Sequence, residues 1–288
     1  MNFRIKLLQR KYHRDGLRGV LWSFTKFIVR KFSPVEIRTD WKRRRIGESL
    51  YIDFDGMVRY GPFVGVQLPK KLIWAKNDMS SILIGFYEKQ VIDWIASREI
   101  HFSTLIDIGS ADGLYLAGIL KAGLADTAVG FESSKKGRIS SRSILAMNSV
   151  HDRAVVMGTA NSERLCAVLD SRMSNNHEFS LLLCDIEGGE IDLFDSETAL
   201  RLQKYFIVIE LHEWCYPNDK SIELMELFKT THEVKFLRPS GRNPDSISEL
   251  RKLTDDQRWI ICSEGRRESM RWLVGVPNLY RSQVFGES

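Results

Sequence analysis

The 288-residue chain is 43% hydrophobic, 10% aromatic and 27% charged, a composition that excludes disordered and fibrous classes and suffices for one large α/β domain with an accessory segment. Its formal charge of +5, from 42 basic and 37 acidic side chains, invites a nucleic-acid or membrane partner, but that charge is unevenly placed. Residues 1–45 hold 14 Lys and Arg against Asp15, Glu36 and Asp40, a net of +11, which leaves −6 for residues 46–288.

The stretch MNFRIKLLQRKYHR at the start is too short in apolar residues and too charged for a signal-peptide core. No apolar run reaches the ~18 residues of a membrane span, so a cytoplasmic chain is expected. The four cysteines, Cys166, Cys184, Cys215 and Cys262, are widely spaced and form no zinc-type cluster. In residues 17–32, Leu17, Val20, Leu21, Phe24, Phe27, Ile28 and Phe32 share one helical face, which predicts an amphipathic helix ended by Ser33-Pro34. A basic knot, DWKRRR, follows at 40–45. Two readings of residues 17–45 stand. In one, Trp22 and the Phe/Leu face enter an anionic membrane surface, with Arg18, Lys26, Arg30 and residues 42–45 on the head groups. In the other, the helix caps the body or a second copy of the chain, and its cations are solvated. Residues 50–74 alternate around Gly56, Gly61-Pro62 and Gly65 like a short hairpin region, and a helix is predicted over 85–97.

From residue 104 apolar strands alternate regularly with amphipathic helices. Strands are predicted at 104–108, 127–132, 153–157, 179–185, 205–211, 232–237 and 258–263, and helices at 113–122, 136–148, 162–170, 189–202 and 219–229. Continuous apolar strands divided by helices imply a mostly parallel sheet covered on both faces, with ligands beyond the carboxyl ends of the strands.

The first strand runs into Asp107-Ile-Gly109-Ser110-Ala111-Asp112-Gly113. Two glycines allow a tight turn and close ligand approach. Their GxxxG spacing differs from the dinucleotide pattern, and Asp107 and Asp112 would repel a pyrophosphate while attracting a sulfonium and an amine. S-adenosylmethionine fits better than NAD. Glu132, 23 residues past Gly109 at the tip of the second strand, is placed to accept from both ribose hydroxyls. The fourth strand leads into Asp185-Ile-Glu187-Gly-Gly-Glu190. Glu190 and Asp192 read as first-turn helix acids, whereas Asp185 and Glu187 precede the helix and read as functional. In the fifth strand Glu210 and His212 share a face, with Asp185 on the neighbouring strand. His212 beside these acids is a candidate general base with its pKa raised toward neutrality.

DIGSADG at 107–113, GFE at 130–132, LLLCDIEGGEIDLFD at 181–195, IVIELHE at 207–213 and GFYEKQV at 85–91 together resemble the FkbM-type S-adenosylmethionine-dependent methyltransferases, over roughly residues 60–275. The resemblance implies a Rossmann-like class I methyltransferase fold with a mostly parallel seven-stranded sheet. The charge and periodicity along the chain divide it into a basic helical segment at 1–48, a lead-in hairpin and helix at 49–100 able to cap a substrate, and the cofactor-binding domain at 101–288. The resemblance also implies that Asp107, Gly109, Ser110 and Gly113 line the methionine end of the cofactor, that Glu132 holds the ribose and that Asp185 lies beside the transferring methyl. Where the family usually has Asn or His, this chain has Asp112. Members of the family methylate hydroxyls of sugars, glycans and polyketides.

The expected reaction is therefore methyl transfer to a hydroxyl, with His212 first and Asp185 second as proton acceptor and Glu210 beside them. A variant in which Asp185, Glu210 and His212 hold a divalent cation is kept as an alternative to a metal-free site. An RNA or DNA methyltransferase is the main rival. It is disfavoured by the acidic fourth loop and by the lack of any Pro-Pro or Pro-Cys dipeptide. A non-catalytic cofactor-binding module and a nicotinamide oxidoreductase follow. Residues 50–80 and 239–257 are the expected acceptor-facing parts.

Overall fold

The computed structural model describes residues 34–172, 179–216, 219–266 and 270–280. The predicted 17–32 helix lies outside them. Helix α1, Pro34–Asp53, instead begins at the proline expected to end it and carries the basic cluster within its turns. Proline suits a first helical position because its missing N–H would be unpaired there anyway. Arg43, Ile46 and Leu50 are buried, while Trp41, Lys42, Arg44 and Arg45 are exposed. The inner face packs on α2 (Met79–Leu83) and on α10 (Asp255–Cys262), with Arg43 donating to the Ser263 carbonyl at 3.1 Å. The division set at residue 48 thus falls inside one continuous helix. Among the described residues no helix is long and apolar enough to cross a membrane.

The hairpin expected over 50–74 reduces to one antiparallel bridge, Met57 with Gln67, inside a run of turns. Its apolar residues Val58, Phe63, Val66 and Leu68 are buried in the same core as the sheet. The lead-in continues through α2 to α3, Lys89–Ala96, a shorter helix than the 85–97 predicted.

Strands β1 (Phe102–Ile108), β2 (Ala125–Phe131), β3 (Ala154–Met157), β4 (Ser180–Cys184), β5 (Tyr205–Leu211), β6 (His232–Leu237) and β7 (Arg271–Pro277) form one sheet of order β3-β2-β1-β4-β5-β7-β6. Helices α4 (Leu114–Lys121), α5 (Lys135–Met147), α6 (Ser162–Arg172), α7 (Glu190–Leu193), α8 (Ser196–Arg201) and α9 (Asp219–Lys229) connect the first six strands. All pairings are parallel except those of β7, which runs antiparallel to both β5 and β6. This is the Rossmann-like class I methyltransferase topology. Strand alternation divides the core. Leu105, Leu181, Leu183, Phe206 and Val208 face the lead-in, while Ile106, Ile108, Leu182, Cys184, Ile207 and Ile209 face the other layer.

Two elements depart from the sequence reading. The apolar run predicted as a strand at 258–263 is the end of α10. Thr254 and Gln257 form a capping box there, and Asp255 and Asp256 occupy the first turn, which outweighs a short apolar run. The true seventh strand lies later, in RWLVGVP. The helix predicted over 189–202 is broken at Phe194 and Asp195, because the Asp195 carboxylate caps the backbone N–H of Thr198 and starts α8 afresh.

Candidate active site

A cavity of about 880 Å³ opens beyond the carboxyl ends of β1, β2, β4 and β5, at the switch point where ligands bind in such sheets. The lead-in segment covers one side with Trp74, Ala75, Asp78, Tyr87 and Glu88. Among the described residues ten carboxylates line it against a single guanidinium, that of Arg266.

The glycine loop joins β1 to α4. Gly109 has φ +94°, and a Cβ there would lie 1.8 Å from the Asp185 backbone oxygen, so only glycine lets the ends of β1 and β4 approach this closely. Asp107 is 1% exposed and both carboxylate oxygens lack a hydrogen-bond partner, as does the Ser110 hydroxyl. Burial, then the negative charges of Asp185, Glu132 and Glu88, push the Asp107 carboxyl well above its ordinary range. An orphaned buried carboxylate facing a cavity is costly unless a ligand completes it. Glu132 is also buried, and its two oxygens accept from the backbone N–H groups of Ala111 (2.9 Å) and Ser134 (2.6 Å), which fixes it against the loop.

Asp112 departs from the expected cofactor contact. Its carboxylate accepts from the backbone N–H groups of Ile73 (3.0 Å), Trp74 (2.8 Å) and Ala75 (3.3 Å) and from the Ser140 hydroxyl (2.6 Å). It clasps the lead-in to the glycine loop, so its acceptor capacity is spent within the chain. Asp112→Ala removes the shared acceptor of three amides. It should cost about 1–3 kcal/mol, a fall in Tm of several degrees, and raise hydrogen exchange at residues 73–75. Unchanged exchange there would contradict the clasp.

At the ends of β4 and β5 the predicted residues come together around His212, which is 1% exposed. Its Nε2 lies 3.3 Å from Asp185 Oδ1, 3.5 Å from Glu210 Oε2 and 3.8 Å from Glu187 Oε2. Its Nδ1 lies 3.2 Å from Glu190 Oε1, which also accepts from the His212 backbone N–H at 3.0 Å. Glu190 is therefore more than a first-turn acid. It is fully buried and further accepts from Gly188 N–H and the Tyr216 hydroxyl. Burial alone would lower the His212 pKa, but hydrogen bonds and charge from Asp185 and Glu190 outweigh it and raise the pKa to about 10.

That value lies above the near-neutral one expected of a base and favours the imidazolium at neutral pH. Burial opposes ionisation of Asp185, yet its hydrogen bond to His212, the imidazolium charge and a hydrogen bond from Glu210 hold its carboxyl below the usual range. Glu210 is pushed well up by burial and by the charges of Asp185 and Glu88. Within the Asp185–Glu210 pair the negative charge is therefore favoured on Asp185, half-buried at the cavity, over Glu210.

One ligand atom each from Asp185, Glu187 and His212 lie within 4.8 Å of one another. Glu187, not the expected Glu210, completes that trio. As arranged, the His212 Nε2 proton faces Asp185, so a cation would first have to displace it.

Sequence reasoning missed the wall opposite. Arg266 donates to Glu210, to Glu88 and, at 2.7 Å, to Glu264. Glu88 is buried in a left-handed conformation (φ 42°) and accepts from the Tyr115 hydroxyl at 2.6 Å. Burial pushes its carboxyl up to about 7 against the pull of Arg266. Glu88 lies within the GFYEKQV segment, a signal that was present; Arg266 had none.

No protein-family model matches the chain, and no curated protein does. Among solved structures, the delta-N METTL16 methyltransferase domain is 14% identical, with 82% of this chain and 95% of that one covered and a TM-score of 0.47. A Geobacter sulfurreducens S-adenosylmethionine-dependent methyltransferase in complex with S-adenosyl-L-homocysteine is 14% identical over 66% and 91% of the two chains, TM-score 0.40. The B. subtilis tRNA methyltransferase TrmK is 12% identical over 68% and 69%, TM-score 0.39. These similarities are slight, and what the cavity can do has to come from its own residues.

Proposed function

We propose that the chain is an S-adenosylmethionine-dependent methyltransferase of the FkbM type acting on a hydroxyl of a sugar, glycan or related natural product. The observation that carries the proposal is the orphaned Asp107 carboxyl group in a cavity that, among the described residues, is lined by ten carboxyl side chains and one guanidinium. That electrostatic environment favours a cationic ligand and repels a polyphosphate. Bound there, the cofactor supplies an electrophilic methyl group on a sulfonium.

Asp107 and Ser110 offer unpaired acceptors to its amino-acid end, and Glu132 offers its remaining lone pairs to the ribose hydroxyls. A hydroxyl acceptor has to lose its proton, and Asp185 is the group able to take it, being anionic and open to the cavity. His212 supports it as a fixed cation that keeps Asp185 ionised, with Glu190 locking the ring. Trp74, which is 56% exposed at the rim, offers a flat apolar face suited to a sugar ring. An RNA acceptor, raised by the tRNA methyltransferase among the similar structures, is disfavoured because the acidic lining would meet a phosphate backbone.

Calorimetry with S-adenosylmethionine and S-adenosylhomocysteine tests the cofactor, and methyl transfer from labelled cofactor to a panel of neutral saccharides tests the acceptor. Glu132→Ala should weaken S-adenosylhomocysteine binding by about 10- to 100-fold, as expected for losing charge-assisted bonds to two hydroxyls. Wild-type protein that binds neither nucleoside would refute the proposal.

A further inference from the structure

S-adenosylmethionine ends in an α-ammonium and an α-carboxylate, and the two make opposite demands on the cavity. The ammonium finds acidic partners readily. The carboxylate would enter a space lined by ten carboxylates, which costs a great deal unless a cation meets it. Arg266 is the sole Lys or Arg among the described lining residues.

Its guanidinium is held from three sides. Nε donates to Glu264 at 2.7 Å, Nη1 to Glu210 and Nη2 to Glu88. A guanidinium has five N–H groups, and with Nη1 also 2.8 Å from Met270 Sδ, one Nη2 hydrogen has no acceptor among the described residues. The three acids do not cancel its charge. Glu264 also pairs with Arg242, burial pushes the Glu88 carboxyl up to about 7, and burial with the charges of Asp185 and Glu88 pushes that of Glu210 well up. The cation also stands at the right end of the cavity. Glu88, bonded directly to Arg266, also accepts from the hydroxyl of Tyr115 in the first turn of α4, the helix that follows the glycine loop, so the fixed cation stands on the side of the cavity where Asp107 and the loop lie.

We infer that Arg266 is a cofactor-binding residue that recognises the α-carboxylate of S-adenosylmethionine, with Glu88, Glu210 and Glu264 acting as the frame that aims its guanidinium. The inference rests on the cofactor reading proposed above, and its test separates the two.

The probes are S-adenosylhomocysteine and 5′-methylthioadenosine, which shares the adenosine and thioether but has no amino-acid end. Binding of both to the full chain is measured by calorimetry for wild type, Arg266→Gln and Arg266→Lys. Arg266→Gln should weaken S-adenosylhomocysteine by about 30-fold or more, within the range of a lost charge-assisted pair, and leave 5′-methylthioadenosine within about three-fold. Arg266→Lys, which keeps the charge and loses the fork, should fall between. Equal weakening of both ligands, or none, would overturn the inference. If Arg266→Gln does not fold, shown by its circular dichroism, the ratio of the two affinities in Arg266→Lys decides: a ratio lowered about five-fold supports the contact, and an unaltered ratio refutes it. Wild-type protein that binds neither probe would instead defeat the cofactor reading itself.

Discussion

Asp185→Asn should lower turnover by about a thousand-fold while the Kd for S-adenosylhomocysteine moves by less than about three-fold, the signature of a group that acts on the acceptor's proton. The substitution is nearly isosteric and keeps a carbonyl oxygen toward His212 Nε2, 3.3 Å away in the native site, so the local frame should survive. What is lost is the anion. In the native arrangement hydrogen bonds to His212 and Glu210 and the charge of His212 favour the Asp185 anion despite its burial, and an amide cannot accept the proton that a hydroxyl must give up. General-base removal typically costs ~10²–10⁴-fold. Turnover that persists above about a tenth of wild type would move the base elsewhere.

Gly109→Ala should be the most damaging added methyl among the described glycines. The added carbon would lie 1.8 Å from the Asp185 backbone oxygen and 3.1 Å from Ile186 Cγ2, at a residue whose φ is +94°. Neither neighbour can yield cheaply. Asp185 N–H is bonded to the Ile108 carbonyl at 2.8 Å and Gly109 N–H to that of Phe131 at 2.8 Å, so relief would unzip β1 from β4 or β2 where the cofactor loop begins. A loss of about 4 kcal/mol or more is expected, which lies in the tail of point-mutant effects and could exhaust the stability of the domain. Urea denaturation with a midpoint close to wild type would show that the strand ends tolerate separation.

The strand ends were the readable part of this molecule. Asp185, Glu210 and His212 could be brought together from sequence because strand alternation and parallel order are local rules with a global result. The protonation of His212 was not readable. It depends on Glu190, which seemed fully explained by a helix dipole until Tyr216 and the His212 backbone were seen to converge on it. Glu88 and Arg266, 178 residues apart in the chain, meet only through the tertiary fold, and no spacing rule links them. At the C-terminal end the apolar run Trp259-Ile260-Ile261-Cys262 imitated a strand. The capping residues Thr254 and Gln257 precede that run, and a capping box fixes a helix more strongly than four apolar residues favour a strand.

The position of β7 has a consequence for how the chain folds. It is the last strand in sequence, yet it separates β5 from β6 and pairs Trp272 with Glu210 and Arg271 with Leu211. Until it docks, β5 presents a bare edge of seven residues that are all buried in the finished protein, and β6 has no partner strand in the sheet. Such an edge pairs readily with the wrong chain. Residues 102–184 can assemble β3, β2, β1 and β4 from neighbouring segments, so the nucleoside side of the cavity is able to form early during synthesis. The side that carries Glu210 and Arg266 waits for β7, and until then the edge of β5 stays open to such pairing.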